Sequence, residues 1–237
     1  MGNIVGERFD DFVINQINAR QSLAGKGFGE ATLSPSDLLL LNNRNAWLKL
    51  ASSVTDQIDT LGSYNFRSGV SKSDSLWNSS NSYGLGGSNF GLTPAPGLIS
   101  AKITCENRGS IRNAEVVIKA FNQFQFEMIE LLYLRLGFTM MLEWGWDKYL
   151  NKEGKITNMG NTIIEDSWFN SSTTSQLGML NKIQDKRGEC AGNYDGFFGR
   201  VVNFDWNFNK NGSYDITLKL VTLGDVIESI KAKPSSN

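Results

Sequence analysis

Side chains that commonly perform chemistry are scarce in this chain. The 237 residues include no histidine, and the two cysteines, Cys105 and Cys190, form no spaced motif. Without histidine there is no Ser-His-Asp or Cys-His nucleophilic catalysis and no histidine-ligated zinc. The side chain that most often moves protons near neutral pH is also missing. Carboxylates and lysines are the acid–base candidates that the composition leaves.

One carboxylate lies in an unusual setting. Glu143 interrupts the most apolar and aromatic-rich stretch of the chain, LGFTMMLEWGWDKYL, at residues 136–150. As a catalytic acid, it would have a pKa raised by its tryptophan neighbours. A glycan hydrolase would also need a second carboxylate roughly 5 to 9.5 Å away. Asp147 and Asp205 are the candidates for that role.

The same glutamate also has a structural interpretation. In an extended segment, Glu143 lies on the strand face opposite Leu142 and Trp144, where it can pair with an arginine of another strand or subunit. Asp147 follows four residues later along the strand and is not evidently placed beside it. We therefore favour the structural interpretation of Glu143 over the catalytic one.

Other motifs with a chemical meaning are incomplete. GLGGSNFG lacks the Lys-Ser/Thr of a phosphate-binding loop, and AGKGFGE lacks the preceding strand of a dinucleotide fold. The aspartates follow no twelve-residue calcium loop. We predict no cofactor and no metal site.

Charge and hydropathy narrow the function classes. The formal net charge is −1, and no cluster of basic residues indicates general nucleic-acid binding. No run of about 18 apolar residues occurs, so we expect no membrane insertion by this chain. The first residues, MGNIVGERFDDFV, lack the pattern of a secretory signal.

The elements that must position any site begin with helices. Apolar spacing predicts one helix at residues 6–24 and another from Pro35 to Leu41, with Ser34 as its N-cap. The buried segment from Ala46 to Val54 fits either a strand or a helix.

Regular alternation returns after residue 98. Strands are predicted at 98–106 and 110–121, a helix at 121–135, and a strand through Glu143. The turn NKNG joins two alternating runs into an antiparallel hairpin at 201–223. We expect Trp206 and Phe208 in this hairpin to pack against the core or against the helix at 121–135.

Polar, glycine-rich segments separate these elements and divide the chain. We predict an N-terminal helical or extended segment at 1–61, a Gly/Ser/Asn-rich contact loop at 62–97, and a β domain at 98–237 with an insertion at 151–193. The loop carries spaced aromatic residues that lack aliphatic partners, so a partner surface is expected to cover them. The insertion is a further candidate contact segment. The candidate partner-interface residues are Tyr64, Phe66, Trp77, Tyr83, Phe90, Glu143, Trp168 and Phe169.

Three segments together resemble a known family. They are GSIRNAEVVIKAFNQFQFEMIELLYLRLGFTMMLEWGW, DGFFGRVVNFDWNFNKNGSYDITLKLVTLGDVIESI and, more weakly, ATLSPSDLLLLNNRNAWLKLASSV. They are similar to the N-terminal part of the tail or baseplate hub proteins of tailed bacteriophages, which include the T4-type hub. The resemblance implies an α+β fold of mainly antiparallel β-sheet or tail-tube-like β-barrel, with a flanking helix and N-terminal helices.

The resemblance also implies a function. Such hubs are structural proteins of the virion, made in the host cytoplasm, whose copies form a ring that continues the tail tube. The partners would be other copies and neighbouring tail proteins, with DNA only as cargo in the lumen. Glu143 would then face either the lumen or a subunit contact. The alternatives are a tail-associated glycan hydrolase and a small adaptor or host-binding module.

Overall fold

The computed structural model describes residues 13–14, 35–54, 60–61, 96–106, 111–152, 155–164 and 176–222. Three helices lie in this part of the chain: α1 (Pro35–Asn42), α2 (Gln123–Tyr133) and α3 (Gln176–Glu189). Nine strands accompany them: β1 (Ala46–Ser52), β2 (Thr60–Leu61), β3 (Gly97–Glu106), β4 (Ile111–Ala120), β5 (Thr139–Trp146), β6 (Lys148–Leu150), β7 (Ile156–Asn158), β8 (Tyr194–Phe208) and β9 (Tyr214–Thr222).

Seven strands form one antiparallel sheet in the order β2-β1-β5-β8-β9-β4-β3. Strands β6 and β7 form a separate two-stranded ribbon. The predicted α+β class with mainly antiparallel sheet is confirmed. The sheet is a half-barrel, with β2 and β3 at its opposite ends.

Strand β8 changes its partner part-way along its length. Its first residues, 194–200, pair with β5, whereas 199–208 pair with β9. A register shift between Val201 and Asn203 marks a bulge, which is a common way for a strand to bend. The sheet therefore has two halves. We call β2, β1, β5 and residues 194–200 the proximal half, and residues 201–208, β9, β4 and β3 the distal half.

One face of the whole sheet packs on α2. Alternating residues of β4 and β9, such as Val116 and Leu218, are fully buried there together with Ile129 and Leu132 of the helix. The helix begins with a reciprocal cap. The Asn122 side chain accepts a hydrogen bond from Gln125 N at 2.8 Å, and Phe121 N donates to Gln125 Oε1 at 2.8 Å. The predicted flanking helix is confirmed.

The described residues cover the other face only over the proximal half. A second core contains Met141 and Phe198 of the sheet, Ile163 and Ile164 of an irregular segment, and Ile183 of α3. Both faces of β5 are consequently buried, and residues 140–143 have no exposed surface. That explains why this stretch is apolar without a break: a strand covered on both sides shows no polar alternation.

Several predicted elements lie where the sequence placed them. The helix from Pro35 is α1, and the ambiguous segment at 46–54 contains strand β1. Residues 46–61, which we assigned to a separate N-terminal segment, contribute β1 and β2 to the main sheet. The helix predicted at 6–24 and the loop at 62–97 lie almost entirely outside the described residues.

The hairpin is confirmed, but its apolar side chains are less buried than predicted. Trp206 and Phe208 pair with Ile216 and Tyr214 on the α2 side, and Trp206 contacts the ring of Phe126 at 5.0 Å. They are nevertheless 45% and 62% exposed, because β5 does not extend alongside this half of β8. The expected contact with the helix is thus present for Trp206, whereas the expected burial is wrong.

Candidate functional site

Glu143 is the one candidate site residue that falls within the described part of the chain. It lies in β5, and its side chain points away from α2 into the second core, where it is 0% exposed. The expectation that it faces a lumen or a subunit contact is therefore corrected: the second layer of the fold covers it. Tyr64, Phe66, Trp77, Tyr83, Phe90, Trp168 and Phe169 lie outside the described residues.

Donors from two parts of the chain meet the Glu143 carboxylate. The Tyr194 hydroxyl donates to Oε1 at 2.6 Å, and the backbone N–H of Ile163 donates to the same oxygen at 2.9 Å. The N–H of Ile164 lies 3.4 Å from Oε2. The carboxylate thereby ties an irregular segment to the sheet and satisfies backbone groups that have no strand partner.

A lysine lies on the neighbouring strand. Lys49 of β1 is directly opposite Glu143 in the strand register and is 2% exposed. Its Nζ lies 3.3 Å from Thr162 Oγ1, and it attracts the carboxylate electrostatically. A buried carboxylate thus has an opposite charge nearby, as buried ions generally require.

A glycine makes room for this network. Gly196 is the direct β8 partner of Glu143. A Cβ added at Gly196 would lie 3.1 Å from the Tyr194 hydroxyl and 3.2 Å from Ile183 Cγ1. The missing side chain lets the tyrosine reach the carboxylate and lets α3 approach the sheet.

Burial dominates the electrostatics of the site. Loss of hydration raises the pKa of Glu143, and the hydrogen bond from Tyr194 and the nearby Lys49 only partly oppose that shift. Burial and the adjacent carboxylate likewise raise the pKa of Tyr194. A raised carboxyl pKa is typical of catalytic acids. A catalytic acid must also reach substrate, and this one has no exposed surface.

The carboxylates proposed as hydrolase partners are not beside Glu143. Asp147 is four residues along an extended chain, roughly 13 Å at 3.3 Å per residue, and its Oδ1 accepts a hydrogen bond from Asn45 N at 2.8 Å. Asp205 is nine residues along β8 from Gly196, roughly 30 Å by the same rise. Both separations exceed the range of about 5 to 9.5 Å that glycoside hydrolysis requires.

Three residues of the network were not among the predicted site residues: Lys49, Thr162 and Tyr194. A signal for Lys49 existed, because AWLKLAS places one lysine on the apolar face formed by Trp47 and Ala51. A single positive charge in one buried strand and a single negative charge in another form a natural pair. Nothing in the polar sequence around Thr162 indicated that it would cover the sheet.

Comparisons with known protein families, with curated proteins and with solved structures found no match to this chain. Within the described residues, no group of three or more potential metal ligands occurs. No helix of that same part of the chain is long and apolar enough to cross a membrane.

Proposed function

We propose that this protein is a structural component of a bacteriophage tail, a wall subunit of the tail tube or baseplate hub ring through which DNA passes. In this role it has no enzymatic activity. Its partners are other copies of itself and neighbouring tail proteins in the virion. Two features support the proposal. The hairpin and the strand–helix–strand segments resemble those of phage hub proteins, and α2 covers one face of the distal half of the sheet.

The distal half carries the proposal because its two faces differ. Buried apolar residues on one face pack against α2, whereas no described helix or strand packs on the opposite face. That polar face holds three lysines, three carboxylates and mostly small polar side chains. By strand register it comprises Ser100, Lys102, Thr104, Asn113, Glu115, Val117, Lys119, Asn203, Asp205, Asn207, Asp215, Thr217, Lys219 and Val221.

Charges on the polar face alternate across the strands. Glu115 lies between Lys102 and Lys219, and Lys119 Nζ contacts Asp215 Oδ1 at 2.5 Å. Phosphate binding requires an excess of positive charge. A wetted face with balanced charge therefore attracts passing DNA little, which suits the lining of a conduit.

The free edge of the distal half supports assembly. Residues 202–208 of β8 have no β5 partner, and the apolar side chains of Val202, Trp206 and Phe208 are 51%, 45% and 62% exposed there. Leu136 and Phe138 add exposed apolar surface beside Val201, whose backbone bonds to residues 137 and 138. Unpaired strand edges and apolar patches of this kind are usual sites of chain association.

Particle mass and negative-stain images of the purified chain test the proposal. We expect ring-shaped oligomers, and we expect Trp206→Ser combined with Phe208→Ser to abolish them without unfolding the chain. Leu177→Ser is the matched control, because Leu177 on α3 is 64% exposed and lies away from the edge. A wild-type chain that stays monomeric at every accessible concentration would contradict the ring and favour the adaptor alternative. Rings that survive the double substitution would place the contact elsewhere.

A further inference from the structure

A small cavity opens between α3 and the beginning of β8. Its volume is about 180 Å³, and the ends of β4 and β9 complete its wall with Arg112 and Thr222. It shares Gly196 and Ile183 with the surroundings of the Glu143 network, and it lies apart from the free edge of β8. Neither the proposed wall function nor the fold's two cores account for its polar rim.

Four apolar residues contribute to the lining of the cavity: Leu180 and Ile183 of α3, and Phe197 and Phe198 of β8. Ile183, Phe197 and Phe198 are each less than a tenth exposed, so these walls are held by the cores behind them. A methylene chain placed here would gain contacts without needing the walls to move.

The rim carries two guanidinium groups and one carboxylate. Asp195 Oδ1 accepts a hydrogen bond from Gly196 N at 2.8 Å and forms ion pairs with both Arg187 and Arg112. One carboxylate balances one arginine, so the rim retains a net charge of about +1. The other charged residues of α3 are off this face by helical spacing, and Lys186 pairs with Glu189 at 3.0 Å.

The arginines are held in place with donors left over. Arg187 Nη1 donates to Gln184 Oε1 at 2.8 Å, which fixes its plane. Arg112 Nη1 lies 3.4 Å from the Gly196 carbonyl oxygen. Nε and Nη2 of Arg112 have no partner among the described residues. A planar fork with free N–H groups matches the two oxygens of a carboxylate.

We propose that this cavity binds a carboxylate that bears a short apolar chain. The carboxylate lies on the Arg112 and Arg187 rim, and the chain enters between α3 and β8. The cavity is several times larger than the space that one water molecule needs, so it admits a short chain of several non-hydrogen atoms. Butanoate and a glutamate side chain are ligands of this kind. The ligand is therefore either a free short-chain acid or an acidic side chain of another polypeptide.

Titration of the full-length protein, followed by NMR of the arginine Nε–H groups and of the Ile183 and Leu180 methyl groups, tests the site. The probes are butanoate, N-acetyl-glutamate N-methylamide and neutral butanamide. Saturable shifts with butanoate alone identify a free acid as the ligand, whereas shifts with both acids identify a side chain of a polypeptide. Equal shifts with butanamide, or no saturable shift with either acid, overturn the proposal.

Two single substitutions at the rim are expected to change the affinity for butanoate in opposite directions. Arg112→Gln should weaken butanoate binding by about tenfold or more, the usual cost of losing a charged hydrogen bond. Asp195→Asn should strengthen binding, because it removes the competing carboxylate. Arg135→Gln, an exposed arginine in the loop after α2, is the control and should bind as the wild type does. A correctly folded Arg112→Gln protein with unchanged affinity contradicts the proposal, whatever its oligomeric state.

Discussion

The proximal and distal halves of the sheet are built from similar antiparallel strands but differ in how many of their faces are buried. In the proximal half, β5 is covered on both faces, and even its one carboxylate is enclosed and hydrogen-bonded. In the distal half, the strands are covered by α2 on one side and present polar side chains on the other. The proximal half is thus an enclosed scaffold, whereas the distal half presents a polar face that the described elements leave uncovered.

The long strand β8 passes through both halves and shows the difference within one element. Its residues 196–199 are all buried, whereas six of the seven residues from 202 to 208 are exposed. The exposure of its side chains changes near the bulge after Val201: pairing with β5 ends at Arg200, and pairing with β9, which begins at Gly199, continues to Phe208. Neighbouring strands, rather than local sequence, decide how much a side chain here contributes to stability.

Two phenylalanines of β8 allow the largest test of this contrast. Phe197→Ala should lower the free energy of unfolding by about 3 to 5 kcal/mol, because a fully buried ring leaves a cavity that its neighbours cannot fill. Phe197 is 1% exposed and Phe208 is 62% exposed. Phe208→Ala should therefore cost less than about 1 kcal/mol. Urea unfolding of the isolated subunit measures both, and equal losses would contradict the division into halves.

The buried Lys49 and Glu143 pair provides a test within the proximal half. Lys49→Met alone should cost about 3 kcal/mol at neutral pH, because it leaves Glu143 buried without the nearby opposite charge. Glu143→Gln should cost less, because burial already favours the neutral form of this carboxyl. The double variant should be more stable than the sum of the single losses predicts, by about 1 to 3 kcal/mol. Strict additivity in urea unfolding would show that the two groups do not interact.

The same carboxyl gives this pair a pH dependence of known sign. Burial raises the pKa of Glu143 above its ordinary value of 4.5, so the folded chain holds a proton that the unfolded chain has already lost. The stabilisation that this bound proton gives the folded chain is complete below about pH 4.5, and it is lost as the pH rises through the folded pKa of Glu143. Glu143→Gln should remove this component of the pH profile. An unchanged profile would assign the slope to other groups.

Much of the fold could be predicted because local patterns and tertiary contacts agree. In β4, Ala114, Val116 and Ile118 alternate with Glu115, Val117 and Lys119, and the first three are the buried residues on the α2 side. The cap at Asn122 and the turn before Tyr214 likewise depend on nearby residues alone. A sheet with one wet face leaves a readable period of two in its sequence.

The site could not be predicted because it depends on contacts between distant segments. Glu143 was correctly placed in a strand, yet the covering residues 162–164 come from a polar stretch with no recognisable period. Regular alternation with Trp206 and Phe208 would place Val202 on the apolar face, but the bulge places Val201 in the core and leaves Val202 exposed. A bulge changes the side of every later residue, and alternation alone does not reveal it.

The smallest effect is expected on the polar face of the distal half. The Lys119 hydrogen bond lowers the pKa of Asp215, and a hydrogen bond from Asn209 lowers it further. The stability that this carboxylate gives the fold is therefore present above its ordinary pKa of 3.8, and it is lost as the pH falls through the folded pKa. The Asp215 side chain is 44% exposed, and solvent screening limits such pairs to about 0.2 to 1 kcal/mol. Asp215→Asn should therefore change the urea midpoint little. At 1 M salt, where the Debye length is about 3 Å, most of this difference should disappear. Lys102→Gln, on the same face in β3, is the control. A loss above about 2 kcal/mol would be typical of a buried pair, and it would mean that another layer covers this face and that the distal half is a scaffold like the proximal one.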